Sequence, residues 1–187
     1  MPNNIINQPV YADPENMDVP SLAWPGNLGD RFAVNVPPGA APGIGPVQDR
    51  GDSKTYQIVQ TDSGMGTQAT RGMVTWWRDK QKYVVTTDQL RALNRNEVAG
   101  IIKNTVTSGN YTCIQQGGTS YVMVTLANIG AVVSGDMLIP SAADNGRADR
   151  VAAGTAPTYT PIGIAVGTTV ATNLILTELR LPFISST

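Results

Sequence analysis

Seven basic side chains lie between Arg71 and Lys103: Arg71, Arg78, Lys80, Lys82, Arg91, Arg95 and Lys103. Trp76, Trp77 and Tyr83 are interleaved with them, and Asp79, Asp88 and Glu97 are the opposing acids. Rings that stack bases and cations that follow phosphates would make a single-stranded nucleic-acid platform. The acids interrupt that pattern, and over the whole chain 13 Lys and Arg face 14 Asp and Glu, a formal net charge of −1. The stretch therefore reads first as the charged side of an ordinary sheet and second as a basic face for an acidic protein partner. Nucleic acid is not expected as a partner.

Other chemistry is scarcer. The 187 residues contain no histidine and one cysteine, Cys113, which removes the commonest metal ligand and general base, any internal disulfide and any Cys-based zinc site. Asp144, Asn145 and Asp149 in "DNGRAD" offer oxygen ligands, yet a calcium loop of the EF type needs more acids and a closing Glu. The glycines of "SGMGTQATRG" lack the Gly-Lys-Ser/Thr ending of a phosphate loop. "RGDS" at Arg50–Ser53 matches a cell-adhesion tripeptide and reads instead as a polar turn. No two of the 14 carboxylates are singled out as an acid and base pair. The expectation is a protein that is not an enzyme, with no cofactor and no metal.

The elements that would position these groups are mostly strands. Charged residues are only 14% of the chain, and 19 Gly and 13 Pro accompany many β-branched residues, a composition of turn-rich β-structure. "KTYQIVQT", "MVTWWRD" and "KYVVTTD" read as strands; "EVAGIIKNTV" fits helix or strand, with strand favoured by its β-branched content and Gly100; and Asp88 is placed to cap a short helix over "QLRALNR" with Leu90 and Leu93 three apart. Gly117-Gly118 between "NYTCIQQ" and "TSYVMVTL" reads as a tight hairpin, as does Asn145-Gly146. "TSGNYTCI" and "VSGDMLIP" repeat one turn chemistry ahead of a strand, and "TPIGIAVGTTVATNLILTELRLPF" reads as strand, turn, strand. On a strand, adjacent Trp76 and Trp77 point to opposite faces. One belongs to a core; the other is covered either by an interface or by a loop of the same subunit.

Nine of the 13 prolines fall in the first 50 residues, which rules out helix and central strands there. The same segment carries too much apolar surface for a solvated tail. Two readings stand open: an extended arm that docks on something else, or an irregular cover folded onto its own domain. The division drawn is an arm over residues 1–51 and a β-rich domain over 52–187. The fold expected is all-β, an antiparallel barrel or sandwich of short strands with an extended Pro-rich N-terminal arm and at most one short helix. Tyr11, Leu22, Trp24, Phe32 and Trp77 are the candidate interface residues, because large apolar rings and side chains anchor interfaces. No apolar stretch approaches the ~18 residues of a membrane span, and the first residues lack the pattern of a secretory signal. A soluble protein with no membrane partner is expected.

Three pieces, "GNYTCIQQGG" at Gly109–Gly118, "GDMLIPS" at Gly135–Ser141 and "PIGIA" at Pro161–Ala165, occur in an order and spacing that resembles tailed-bacteriophage capsid decoration, or cement, proteins. The likeness spans about residues 54–181. It implies a β-rich domain, self-association as a homotrimer, the phage major capsid protein as partner, and a place on the outer capsid surface of the virion after synthesis in the host bacterial cytoplasm. It implies no catalytic residues. The alternative is a virion-surface module for host glycan, with Trp77 or Trp24 as the stacking platform.

Overall fold

The computed structural model describes residues 17–20, 28–35, 53–65, 68–128, 131–151, 155–167 and 173–181. Along the chain come β1 (Arg31–Asn35), β2 (Ser53–Thr61), β3 (Val74–Asp79), β4 (Val84–Thr86), β5 (Val98–Ile102) and β6 (Tyr111–Met123). A 3₁₀ turn (Leu126–Asn128) precedes β7 (Met137–Pro140), β8 (Ala148–Val151), β9 (Gly163–Ala165) and β10 (Leu174–Arg180). The strands lie in the order β1-β2-β4-β3-β5-β6-β10-β9-β7-β8, and a further β2–β6 pairing closes β2, β4, β3, β5 and β6 into a five-stranded barrel. The all-β expectation stands, with one refinement. β2 and β4 pair in parallel while every other neighbour is antiparallel. A closed ring with an odd number of strands cannot alternate direction all the way round, so one parallel pairing is a geometric necessity.

Gly117-Gly118 does not turn a hairpin. β6 continues through both glycines; its first half pairs with β2 and β5 and its second half with β10. The glycines let the strand bend out of the barrel into a second sheet. Gly118 takes a φ of 75°, the register to β2 shifts between Thr55 and Tyr56, and the Gln115 side-chain amide donates to the carbonyls of Gly117 and Thr119, both at 2.9 Å. Those bonds satisfy carbonyls around the bend within the strand itself.

The helix expected over "QLRALNR" is also absent. Asp88 does cap locally, its Oδ1 accepting from Leu90 N and its carbonyl from Arg91 N. Ala92 N still bonds back to Gln89 O at 3.4 Å, but Leu93 N, which an α-helix would direct to Gln89 O, bonds to Trp77 O instead. A backbone donor spent on a tertiary acceptor cannot extend an intrahelical ladder, so the segment is a series of turns.

Among the described residues, packing falls into three clusters. Val59, Trp77, Val85, Ala99, Ile102 and Ile114, drawn from all five barrel strands, fill the barrel interior. Val74, Trp76, Val98 and Ile101 on the outer faces of β3 and β5 pack against Val122, Leu138, Ala148, Ala165 and Ile175 of the second sheet. Every residue of β5 is therefore buried. The two tryptophans do point oppositely, and both lie inside the chain, at 1% and 3% exposure. The third cluster, Met17, Tyr56, Ile58 and Cys113 with Val19, Phe32 and Tyr111 at its margin, lies on the outside of β2 and β6.

The repeated Ser-Gly-Asn and Ser-Gly-Asp pieces adopt the same turn. Asn110 N bonds to Thr107 O and Asp136 N to Val133 O, both at 3.1 Å. Gly109 and Gly135 take φ of 86° and 96°, the conformation a type II turn requires at its third residue. Each turn then launches a strand, β6 or β7. The hairpin expected at Asn145-Gly146 joins β7 to β8 antiparallel, with Gly146 at a φ of 68°.

Candidate binding surface

The loop between β4 and β5 is fastened to the domain at many points and yet presents apolar side chains outward. Asp62, just past the end of β2, holds Arg91 by a two-pronged ion pair, Nε to Oδ2 at 2.6 Å and Nη2 to Oδ1 at 3.2 Å. The hydrogen-bonded guanidinium keeps the Asp62 carboxyl below its ordinary range against the opposing effect of burial, and the Gly64 amide, donating to Oδ1, adds to it. The same bond raises the Arg91 pKa. A Cβ at Gly64 would meet the Arg91 guanidinium and push it off its ion-pair position.

Further along, Gln89 Nε2 donates to Ala142 O at 2.9 Å, Trp76 Nε1 to Arg95 O at 3.0 Å, and Arg78 Nη1 to Arg91 O at 3.3 Å. Between these anchors Leu90 and Leu93 stand 75% and 66% exposed. A leucine left in water forfeits roughly 1.5–3 kcal/mol that burial would return. Two of them on an anchored loop form a small, preorganised apolar surface.

The structure disperses the basic stretch. Lys80 pairs with Glu97 at 3.4 Å and Lys82 with Asp79 at 3.6 Å. Arg71 lies over the Tyr121 ring at 5.5 Å, and Lys103 is buried with its Nζ 3.2 Å from Ser120 Oγ. Arg78 and Arg95 remain exposed beside the leucines. Among the described exposed cations, Lys82, Arg150 and Arg180 each lie within 4 Å of a carboxylate; Arg78 and Arg95 have none. With Trp76 and Trp77 buried and Tyr83 packed edge-on against Trp77, the rings of this stretch offer no stacking platform for bases.

The candidate interface residues separate. Trp77 is corrected: at 3% exposure inside the barrel it can anchor neither an interface nor a glycan, because β3 turns that face inward. Phe32 is half-buried on β1, stacked on Tyr56 at 5.6 Å, directly opposite it in the register. Tyr11, Leu22 and Trp24 lie outside the described residues. Of the residues assigned to the arm, Met17 packs on the barrel, Val19 pairs with Tyr111, Asp18 accepts from Asn110 Nδ2 at 2.7 Å, and β1 lines β2. These parts cover their own chain, the second of the two open readings.

The residues considered for calcium serve other purposes. Asp149 Oδ1 accepts from Thr125 Oγ1 and Asn128 Nδ2, while Asn145 Oδ1 accepts from Gln89 N. Among the described residues no group of three or more Cys, Asp or Glu is arranged to hold an ion. No described helix is long and apolar enough to cross a membrane.

Leu90 and Leu93 were legible in the sequence only as one face of a short helix. The one contrary signal is that Asn94, Arg95 and Asn96 follow at once, so the i, i+3 apolar spacing is never continued.

No family model and no curated protein matches the chain. Among solved structures, the chain aligns with one described as the crystal structure of head fiber gp8.5 N base in bacteriophage phi29. The identity is 12%, the alignment covers 70% of this chain and 98% of that one, and the TM-score is 0.45, a partial likeness.

Proposed function

We propose that the protein is a structural component of a tailed-phage virion that binds the outer surface of the capsid and stabilises the head by bridging coat subunits. One observation carries this reading. Two of the three sequence pieces that resemble capsid decoration proteins pair directly although far apart in the chain, Pro161–Ala165 ending in β9 and Gly135–Ser141 containing β7, and β10 ties β9 to the end of the third, Gly109–Gly118, at Gly117 and Gly118 of β6. Their glycines also have structural work. A Cβ on Gly163 would run into the backbone of Glu178 on β10, so the late Pro-Ile-Gly-x-Ala piece is what close pairing of β9 with β10 requires.

The role is non-catalytic, and its mechanism is attachment multiplied by symmetry. A closed barrel with an anchored loop loses little conformational freedom on docking, so more of the contact energy is realised as affinity. In a trimer each docked subunit raises the effective concentration of the next, and modest single contacts become tight in sum.

Co-sedimentation with capsids that lack the protein tests the proposal. Saturable binding and a higher melting temperature of the loaded heads are expected; absence of binding at micromolar protein overturns it.

A further inference from the structure

We propose that the β4–β5 loop together with Arg78 of β3 is the docking element, with Leu90 and Leu93 as its apolar contacts and Arg78 and Arg95 as its charges, and that its partner is an acidic protein surface on the capsid exterior. This inference rests on the capsid-binding reading. The loop is held by the Asp62–Arg91 ion pair, by Gln89 to Ala142, by Leu93 N to Trp77 O and by Trp76 to Arg95. It is therefore preorganised, and ordering it costs little on binding.

Charge identifies the partner. Arg91, Lys80 and Lys82 already lie against Asp62, Glu97 and Asp79. Arg78 and Arg95 have no carboxylate within 4 Å among the described residues, whereas Lys82, Arg150 and Arg180 do; Arg78 still helps to hold the Asp62 carboxyl low, so Arg95 is the less matched of the two. Two exposed guanidiniums outside short ion pairs, on the same face region as two exposed leucines, complement a surface with carboxylates around an apolar patch. Guanidiniums suit this because they bind carboxylates in a forked, two-bond geometry. Nucleic acid fits the same face poorly, since no exposed ring of the β3–β5 region accompanies the cations.

The test compares wild-type protein, Leu90→Ser/Leu93→Ser, Arg78→Glu/Arg95→Glu and Arg95→Glu alone, which keeps the Arg78–Arg91 bond of the loop, for binding to undecorated capsids at salt concentrations on either side of the physiological value. All four side chains are exposed, and near-native circular dichroism and melting temperature confirm that each variant folds. Each variant is expected to bind more weakly, and each double variant at least about tenfold, as loss of interface anchors does. The double charge variant should also lose most of the salt dependence that wild type shows, because exposed charges are screened over a Debye length of about 8–10 Å.

If wild type binds and all three variants bind equally well, the docking inference is wrong and the capsid reading survives. If wild type fails to bind, both fail. If the leucine variant instead lowers the mass measured by light scattering, the face is a contact between copies of this chain, and the inference is overturned in favour of self-association.

Discussion

Gly163 shows how one missing side chain can be a structural requirement. Its partners are the backbone of Glu178 and the Thr177 methyl, and a backbone cannot yield as the end of a long side chain can. Gly163→Ala is expected to cost about 1–3 kcal/mol from overpacking, read as a lower urea midpoint with an unchanged slope. Asp62 makes a different prediction. A carboxyl whose folded pKa lies below its ordinary value of 3.8 stabilises the fold fully above that value. The contribution is lost as pH falls through the lower folded pKa. Wild type should therefore be more stable than Asp62→Asn at neutral pH, and the difference should close as the pH is taken below 3.8; a gap that persists in acid would show that the ion pair is not its source. The glycine was readable as a turn or strand marker, but its neighbour on β10 was not, since pairing of β9 with β10 decides it.

Among the elements, β6 has the most to explain. It serves barrel and second sheet at once, and the bend between its halves depends on two glycines and on the Gln115 amide bonded to Gly117 and Thr119. Gln115→Ala removes the donor to the buried Thr119 segment, and an orphaned buried carbonyl costs about 1–3 kcal/mol. The expected outcome is a lower melting temperature together with faster hydrogen exchange around residues 115–120. Wild-type exchange rates in the variant would mean that the bend is set by the glycines alone. The Gly-Gly hairpin reading failed because a glycine pair signals backbone freedom without saying whether it serves a reversal or a bend. β10, which takes up the second half of β6, lies about fifty residues further along the chain, beyond the reach of any local pattern.

Over the molecule as a unit, the segments at Met17–Pro20 and β1 act as a lid on the outer face of β2 and β6. Cys113 lies beneath that lid at 1% exposure, with Met17 Sδ 3.5 Å from its sulfur. The barrel closes through β2 and β6 without β1, so a chain lacking residues 1–35 should retain its strand content by circular dichroism. Its Cys113 should react with a thiol reagent at least about tenfold faster than in the full chain, because access governs thiol reactivity. Equal rates would mean that these segments contribute no cover. Light scattering at micromolar concentration gives the second expectation, a trimer, which the proposed attachment mechanism draws on; a stable monomer would count against that mechanism, whose strength comes from several docked copies.

Composition and local spacing sufficed for the strands β2 to β4, the paired Ser-Gly turns and the opposed tryptophans, because each depends on alternation or on a backbone conformation that only certain residues adopt; β5, buried along its whole length, shows no alternation and was separable from a helix only by its β-branched content and Gly100. The absence of histidine and the single cysteine likewise narrowed the chemistry from composition alone. What the letters could not contain was the set of partners. Closure of the barrel through β2 and β6 placed Trp77 inside and removed it from the interface candidates. The tertiary acceptor at Trp77 O drew off the Leu93 donor that a helix over "QLRALNR" would have used. Leu90 and Leu93 were thereby left on the surface. Each outcome turns on contacts between residues distant in the chain, and such contacts exist only once the strands have been brought together.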